Sequence, residues 1–142
     1  MPKLLFLAAC QRAIVDQKSQ NVSLIDVING LIFQSTSKAL VPEDAQTPLK
    51  WFVVAVWVEG EGDAEKTYEQ RLQIVSPSGK KLTSSILPFT FNTRAVNTVV
   101  EVGGFPAGRS GIVRAVIDVR EQTDNSKFRK VAEYPIEVVI SE

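Results

Sequence analysis

The stretch that decides the fold is Leu49-Lys50-Trp51-Phe52-Val53-Val54-Ala55-Val56-Trp57-Val58. Both parities of this stretch are apolar: Trp51, Val53, Ala55 and Trp57 on one, and Phe52, Val54, Val56 and Val58 on the other. Because successive side chains of a strand point to opposite faces, a strand here has two apolar faces. Such a strand is normally central in its sheet, or it has one face against another chain.

Similar short apolar or alternating runs recur along the rest of the chain, separated by clusters of Gly, Pro and Asn. They predict about eight strands: Leu4–Val15, Val22–Phe33, Leu49–Val58, Tyr68–Val75, Lys80–Phe91, Thr98–Val102, Ile112–Arg120 and Ala132–Ile140. The expected architecture is a single all-β domain over residues 1–142. We predict an antiparallel β-sandwich, Ig-like or C2-like, with Greek-key-like connections.

The first segment allows two interpretations. Leu4–Val15 is rich in Leu and Ala and partly follows helical spacing, but it also alternates as a strand, and Gln11 interrupts both patterns. The polar turn that follows it favours a strand–turn–strand unit. Residues 34–48 are expected to form a surface crossing, and Gly103–Gly111 is expected to be a loop. Pro88 predicts an edge position or a bulge.

Composition limits the partners and the compartment. Sixteen Lys and Arg residues balance sixteen Asp and Glu residues, so a nucleic-acid partner is not expected. No apolar run is long enough to span a membrane. The single cysteine, Cys10, suits a reducing compartment, and the expected location is cytoplasmic. Leu7-Ala8-Ala9-Cys10 imitates a lipoprotein processing site, but its apolar stretch is short, which favours a buried first strand.

The residue inventory offers little chemistry. The chain has no histidine, which removes the commonest general base and the commonest metal ligand, and it supplies no zinc ligand set. We therefore expect no enzyme activity and no cofactor. Acidic residues occupy every second position of the loop that follows the strand Leu49–Val58, and they form a weak candidate for a calcium-binding site: Glu59, Glu61, Asp63 and Glu65. Calcium usually takes oxygens from several segments and favours Asp, and only Asp63 fits that preference.

The deciding strand supplies the candidates for a partner surface: Trp51, Phe52, Val54 and Trp57. Trp51 and Trp57 share a face, where they could form core, a protein interface or a stacking platform for sugar rings. Their apolar neighbours on that face favour the core. The opposite face has no polar residue, which predicts self-association or a protein partner unless Leu40, Val41 or the 34–48 crossing covers it.

Three motifs carry a resemblance to a known family: Leu4-Leu5-Phe6 through Cys10, Val22-Ser23-Leu24-Ile25-Asp26-Val27, and Ile74-Val75-Ser76-Pro77-Ser78-Gly79-Lys80. With the later Pro106-Ala107-Gly108, they resemble a bacterial family of small β-sandwich proteins of uncharacterised function. The resemblance spans most of the chain but consists of short, generic β motifs. It implies a strand for the first segment, and it implies no activity.

These observations together predict a non-enzymatic interaction or structural module, part of an oligomer or a larger assembly. The alternative is a ligand-binding module that takes carbohydrate on the Trp face or calcium at the acidic loop. A small-molecule ligand is the weaker of the two expectations because neither pattern is specific.

Overall fold

The computed structural model describes residues 1–34, 42–123 and 125–141. Within these ranges the chain forms nine strands: β1 Lys3–Val15, β2 Val22–Val27, β3 Gly30–Gln34, β4 Gln46–Val58, β5 Thr67–Val75, β6 Lys81–Thr90, β7 Ala95–Pro106, β8 Gly111–Glu121 and β9 Arg129–Ser141. The first segment is therefore a strand, as the polar turn after it predicted.

The strands form two sheets that pack against each other in a sandwich-like arrangement. Sheet A has the order β2-β1-β4-β7 and is antiparallel throughout. Sheet B has the order β3-β9-β8-β5-β6. It is mixed, because β3 runs parallel to β9, which corrects the prediction of a purely antiparallel fold.

The count of strands differs from the prediction because Val22–Phe33 is two strands rather than one. β2 ends where the Ile28 N–H donates to the Ala9 carbonyl of sheet A. One residue later, the Asn29 carbonyl accepts from the Glu137 N–H of sheet B. Ile28 is buried at this crossing, so the chain changes sheets between two short strands.

The prediction of a loop over Gly103–Gly111 is also partly wrong, because β7 continues through Gly104 to Pro106. Gly104 adopts a left-handed φ of 82°, and a Cβ there would clash with the Gln46 side chain. Its carbonyl accepts a 2.8 Å hydrogen bond from Trp51 Nε1. The glycine therefore allows β7 to stay paired while it passes close to the start of β4.

The core lies between the two sheets. One parity of β4 faces it, and Trp51, Val53, Ala55 and Trp57 are all buried there. A polar group also crosses the core: Gln70 Oε1 of sheet B accepts from Trp57 Nε1 at 2.8 Å and from Thr98 Oγ1 at 2.6 Å, both in sheet A. Because an unpaired buried amide is costly, this network helps to fix how the sheets align.

Several predictions from the sequence are confirmed. β4 is an interior strand between β1 and β7. Pro88 lies on β6, an edge strand of sheet B, as the missing N–H of proline predicted. Of the crossing predicted over residues 34–48, Gln34 belongs to β3 and the residues from Gln46 onwards belong to β4. Leu40 and Val41 lie outside the described residues.

Candidate interaction surface

The face of sheet A that points away from the core is apolar. The strand registers place one row of Val27, Cys10 and Phe52 across β2, β1 and β4, and the next rows follow along β1 and β4. We call the apolar residues of this face the outer patch: Phe6, Ala8, Cys10, Ile14, Ile25, Val27, Phe52, Val54, Val56 and Val99.

The outer patch combines small buried side chains with larger accessible ones. Ala8, Cys10 and Val54 are buried although they face away from the core. Phe6 and Val27 remain 43% and 48% exposed. The larger side chains thus keep apolar surface accessible beside the small ones, and contiguous apolar surfaces mark interaction sites in soluble proteins.

Charged residues lie towards one end of this face, and one of them, Arg12, stands within the outer patch between Cys10 and Ile14 of β1. Lys50 Nζ and Glu101 Oε1 lie 3.0 Å apart at one end, on β4 and β7, and both side chains are largely exposed. Arg12 lies on the same face of β1, opposite Ile25 in the register. The rows between these charges and Phe6 carry no ionised side chain in the register partners of β1, β4 and β7.

The outward face of sheet B is built differently. Arg71 donates to Asp118 Oδ2 at 2.8 Å, and Arg120 donates to Glu69 Oε1 at 3.0 Å, across the β5–β8 ladder. Both guanidinium groups stack on the ring of Phe128, at 4.3 and 4.1 Å from its centroid. Over β5 and β8 this face is therefore charged and its side chains pair with one another, whereas Ile32, Ile86 and Val139 leave apolar surface exposed towards the two edges of the sheet.

The four partner candidates on β4 differ in how far the structure buries them. Trp51, Val54 and Trp57 are buried within the chain, and both indole N–H groups are hydrogen-bonded there. Neither indole is accessible as a stacking platform for a sugar ring. Phe52 is half-buried on the outer patch, so it is the candidate that retains accessible surface.

The four acidic candidates do not form a cluster. Asp63 is buried, and its carboxylate accepts from the Tyr68 hydroxyl and from the Gly60 N–H, with the Met1 ammonium 3.1 Å away. Glu61 and Glu65 are exposed. Among the residues that the structure describes, no three His, Cys, Asp or Glu side chains group to hold a metal ion. The geometry indicates that Asp63 anchors the loop between β4 and β5.

The contacts of Asp63 also change the pKa of its carboxyl group. Burial raises the pKa of the Asp63 carboxyl, but the hydrogen bonds from Tyr68 and Gly60 and the nearby ammonium outweigh that effect. The resulting pKa lies below the ordinary value for aspartate. Burial and the neighbouring carboxylate raise the pKa of Tyr68, which keeps its phenol protonated as the donor.

Cys10 lies in the outer patch between Val27 and Phe52 in the register. Its side chain is fully buried between these larger neighbours. Burial raises the pKa of the Cys10 thiol above its ordinary value, even though backbone N–H groups of Arg12 and Ile25 act in the opposite direction. A thiol of this kind is a poor nucleophile at neutral pH.

The sequence did not predict that β1 and β2 contribute most of the exposed part of the outer patch. Phe6 and Val27 belong to segments whose strand register was not fixed by pattern alone. The signal that could have found them is the parity of β1, where Phe6, Ala8 and Cys10 alternate with the core residues Leu7 and Ala9. A bulge at Leu5, between Leu4 and Phe6, hides that alternation at the start of the strand.

Comparison with known proteins adds no relative. No protein-family model matches the chain, and no curated protein matches it either. The described residues include no helix with the length and apolarity needed to cross a membrane.

Proposed function

We propose that this chain is a non-enzymatic β-sandwich module that binds another protein chain through the outer patch of sheet A. The observation that carries the proposal is the contrast in burial within that patch. Phe6, Val27 and Phe52 keep accessible apolar surface, and they lie beside the small buried side chains of Ala8 and Cys10. Interface centres are enriched in aromatic residues and depleted in charge. The outer patch supplies the rings of Phe6 and Phe52, and its rows through Ala8 and Phe6 carry no charged side chain.

The proposal includes a cytoplasmic location and one domain over the whole chain. A single buried thiol, Cys10, is compatible with a reducing compartment. An Ig-like or C2-like arrangement with Greek-key-like connections is also part of it. It is supported by two packed sheets and by connections that cross between them, such as β2 to β3 and β4 to β5. Kinship with the bacterial β-sandwich family is likewise proposed, and it is supported by the motifs Leu4-Leu5-Phe6 through Cys10, Val22–Val27, Ile74–Lys80 and Pro106-Ala107-Gly108.

Photo-crosslinking in the cells that produce the protein tests the proposal. A benzophenone amino acid replaces Phe6 in one variant and Ile86 in a matched control. Ile86 is 49% exposed and points outward on the edge strand β6 of sheet B. We expect protein adducts from position 6 and few from position 86. Equal yields at both positions, or no adduct at position 6, would reject the proposed interaction surface.

A further inference from the structure

We infer that Asn29 is a site of spontaneous deamidation, and that its conversion releases the edge strand β3 from sheet B. Asn29 and Gly30 stand where the chain changes from sheet A to sheet B. Of the five asparagines in the chain, Asn29 is the one that a glycine follows. Because glycine has no Cβ, its amide nitrogen meets the least steric hindrance as it approaches the preceding side-chain carbonyl. The inference is independent of the outer patch and of what binds there.

The fold leaves the attacking nitrogen, that of Gly30, outside the β3–β9 ladder. The Glu137 N–H donates to the Asn29 carbonyl at 3.1 Å, and Glu137 is the register partner of Gly30. In a parallel ladder with this bond, the N–H of Gly30 itself points away from β9. β3 is an edge strand, so this N–H has no ladder partner among the described strands. Asn29 and Gly30 are both exposed, which gives water and hydroxide access to them.

Tyr134 on β9 polarises the carbonyl that is attacked. Its hydroxyl donates to Asn29 Oδ1 at 3.0 Å. Negative charge develops on this oxygen when a nitrogen adds to the amide carbon, and a donor at this distance stabilises that charge. Burial raises the pKa of Tyr134, so the phenol stays protonated at mildly alkaline pH. The side chain of Asn29 is therefore held beside a proton donor in the folded chain.

The reaction needs only water. Hydroxide removes the Gly30 amide proton, the nitrogen bonds to Asn29 Cγ, and Oδ1 carries the negative charge. The Cγ–Nδ2 bond then breaks, Nδ2 takes a proton from water and leaves as ammonia, and a succinimide ring remains. Water opens the ring at Cγ to give aspartate, or at the main-chain carbonyl to give isoaspartate. The net reaction consumes one water and releases one ammonia.

Isoaspartate at position 29 disrupts the start of the β3–β9 pairing. The main chain then runs through the former side chain and gains one atom between the buried Ile28 and β3. The carbonyl that accepts from the Glu137 N–H becomes a free carboxylate outside the main chain. Because pairing depends on register, the added atom displaces Gly30–Gln34 relative to β9.

Incubation of the purified full chain at mildly alkaline pH, followed by peptide mass spectrometry, tests the site. Asn21 is the internal control, because it is also exposed but precedes the β-branched Val22. Tyr134→Phe keeps the ring and removes the donor. We expect Asn29 to convert several-fold faster than Asn21, and Tyr134→Phe to slow Asn29 roughly fivefold in the folded chain, the effect of one hydrogen bond. In guanidinium chloride the two chains should convert at equal rates.

Conversion of Asn29 at the rate of Asn21, or conversion only in guanidinium chloride, would overturn the site. Equal rates for the folded natural chain and folded Tyr134→Phe would overturn the role of Tyr134. Hydrogen exchange of the isoaspartyl form, separated by chromatography, tests the release of β3. We expect faster exchange over Gly30–Gln34 and unchanged exchange in β4 of sheet A. Unchanged protection of Gly30–Gln34 would contradict the release.

Discussion

The outward faces of sheet B and sheet A differ in the kind of side chain at their centres. On sheet B, two arginines and two carboxylates pair across β5 and β8, and Phe128 lies between the guanidinium groups. On sheet A, the rows from Phe6 to Cys10 of β1 and from Phe52 to Val56 of β4 are apolar, and the charged residues Arg12, Lys50 and Glu101 lie towards one end of them. The centre of the sheet B face is therefore covered by paired charged side chains, although Ile32, Ile86 and Val139 stay exposed towards its edges, whereas the centre of the sheet A face is apolar.

This difference shows how an apolar strand should be interpreted. Both parities of β4 are equally apolar in sequence, but only one faces the core. The two apolar faces of such a strand therefore lie in two different environments. The apolar character of the outward face is not explained by the core. Sheet B shows that the same fold can place charged pairs outside, so the apolar character of the sheet A face is not a requirement of the architecture.

The largest expected effect separates the two faces of β4. Val53→Asp buries an unpaired carboxylate between the sheets and should lower the free energy of unfolding by about 4 kcal/mol or more. Val56→Asp on the outer patch should cost only about 1 kcal/mol, because water can reach the new carboxylate. Urea unfolding followed by Trp fluorescence measures both. Similar losses for the two variants would mean that the outer patch is covered by the chain itself.

The next effect compares charged pairs on the two outward faces. Asp118 is buried and accepts a hydrogen bond from Arg71, so Asp118→Ala should destabilise the chain by about 2 kcal/mol. Glu101→Gln breaks an exposed pair with Lys50 and should change stability by no more than about 0.5 kcal/mol. Thermal and urea unfolding of the two variants would contradict this account if the losses were equal.

A smaller effect concerns Asp63 in the connection between the two sheets. Because its folded pKa is lowered, the ionised carboxylate contributes stability above the ordinary aspartate pKa of about 4. That contribution is lost as the pH falls through the lowered pKa. Asp63→Asn should cost about 1–2 kcal/mol at pH 7 and less at pH 3. Glu61→Gln, an exposed change in the same loop, is the control. A pH-independent loss for Asp63→Asn would refute the carboxylate's role.

The smallest effect is kinetic and concerns the Cys10 thiol beneath the outer patch. Since Cys10 is fully buried, a thiol reagent such as DTNB should label the native chain slowly and the urea-unfolded chain at once. The absorbance of the released thiolate follows the reaction. Rapid labelling in the absence of urea would show that the outer patch is loose around β1.

Much of the fold could be predicted from the sequence because alternation and turn residues are local signals. The interior place of β4 and the edge position of Pro88 follow from periodicity and from the missing proline N–H. The division of Val22–Phe33 could not be predicted, because it depends on Ala9 and Glu137, which are distant in sequence and supply the backbone partners. The parallel β3–β9 pairing has the same origin.

The candidate surface could be predicted only in part. The apolar second parity of β4 indicated an outer face, and Phe52 is there as expected. The larger exposed contributions of Phe6 and Val27 come from strand neighbours that no local pattern specifies. The burial of Val54 between those neighbours could not be predicted either, because it depends on which side chains lie beside it on β1 and β7.

The most direct test of the central claim, that the sheet A face is covered by protein in the cell, is a matched accessibility measurement. In a Cys10→Ala background, Val27→Cys and Ile86→Cys place thiols of nearly equal exposure on the two outward faces. Maleimide labelling is then compared between intact producing cells and the dilute purified chain. We expect Ile86→Cys to react at similar rates in both, and Val27→Cys to be protected in cells. Equal reactivity of Val27→Cys in the two settings would contradict the claim.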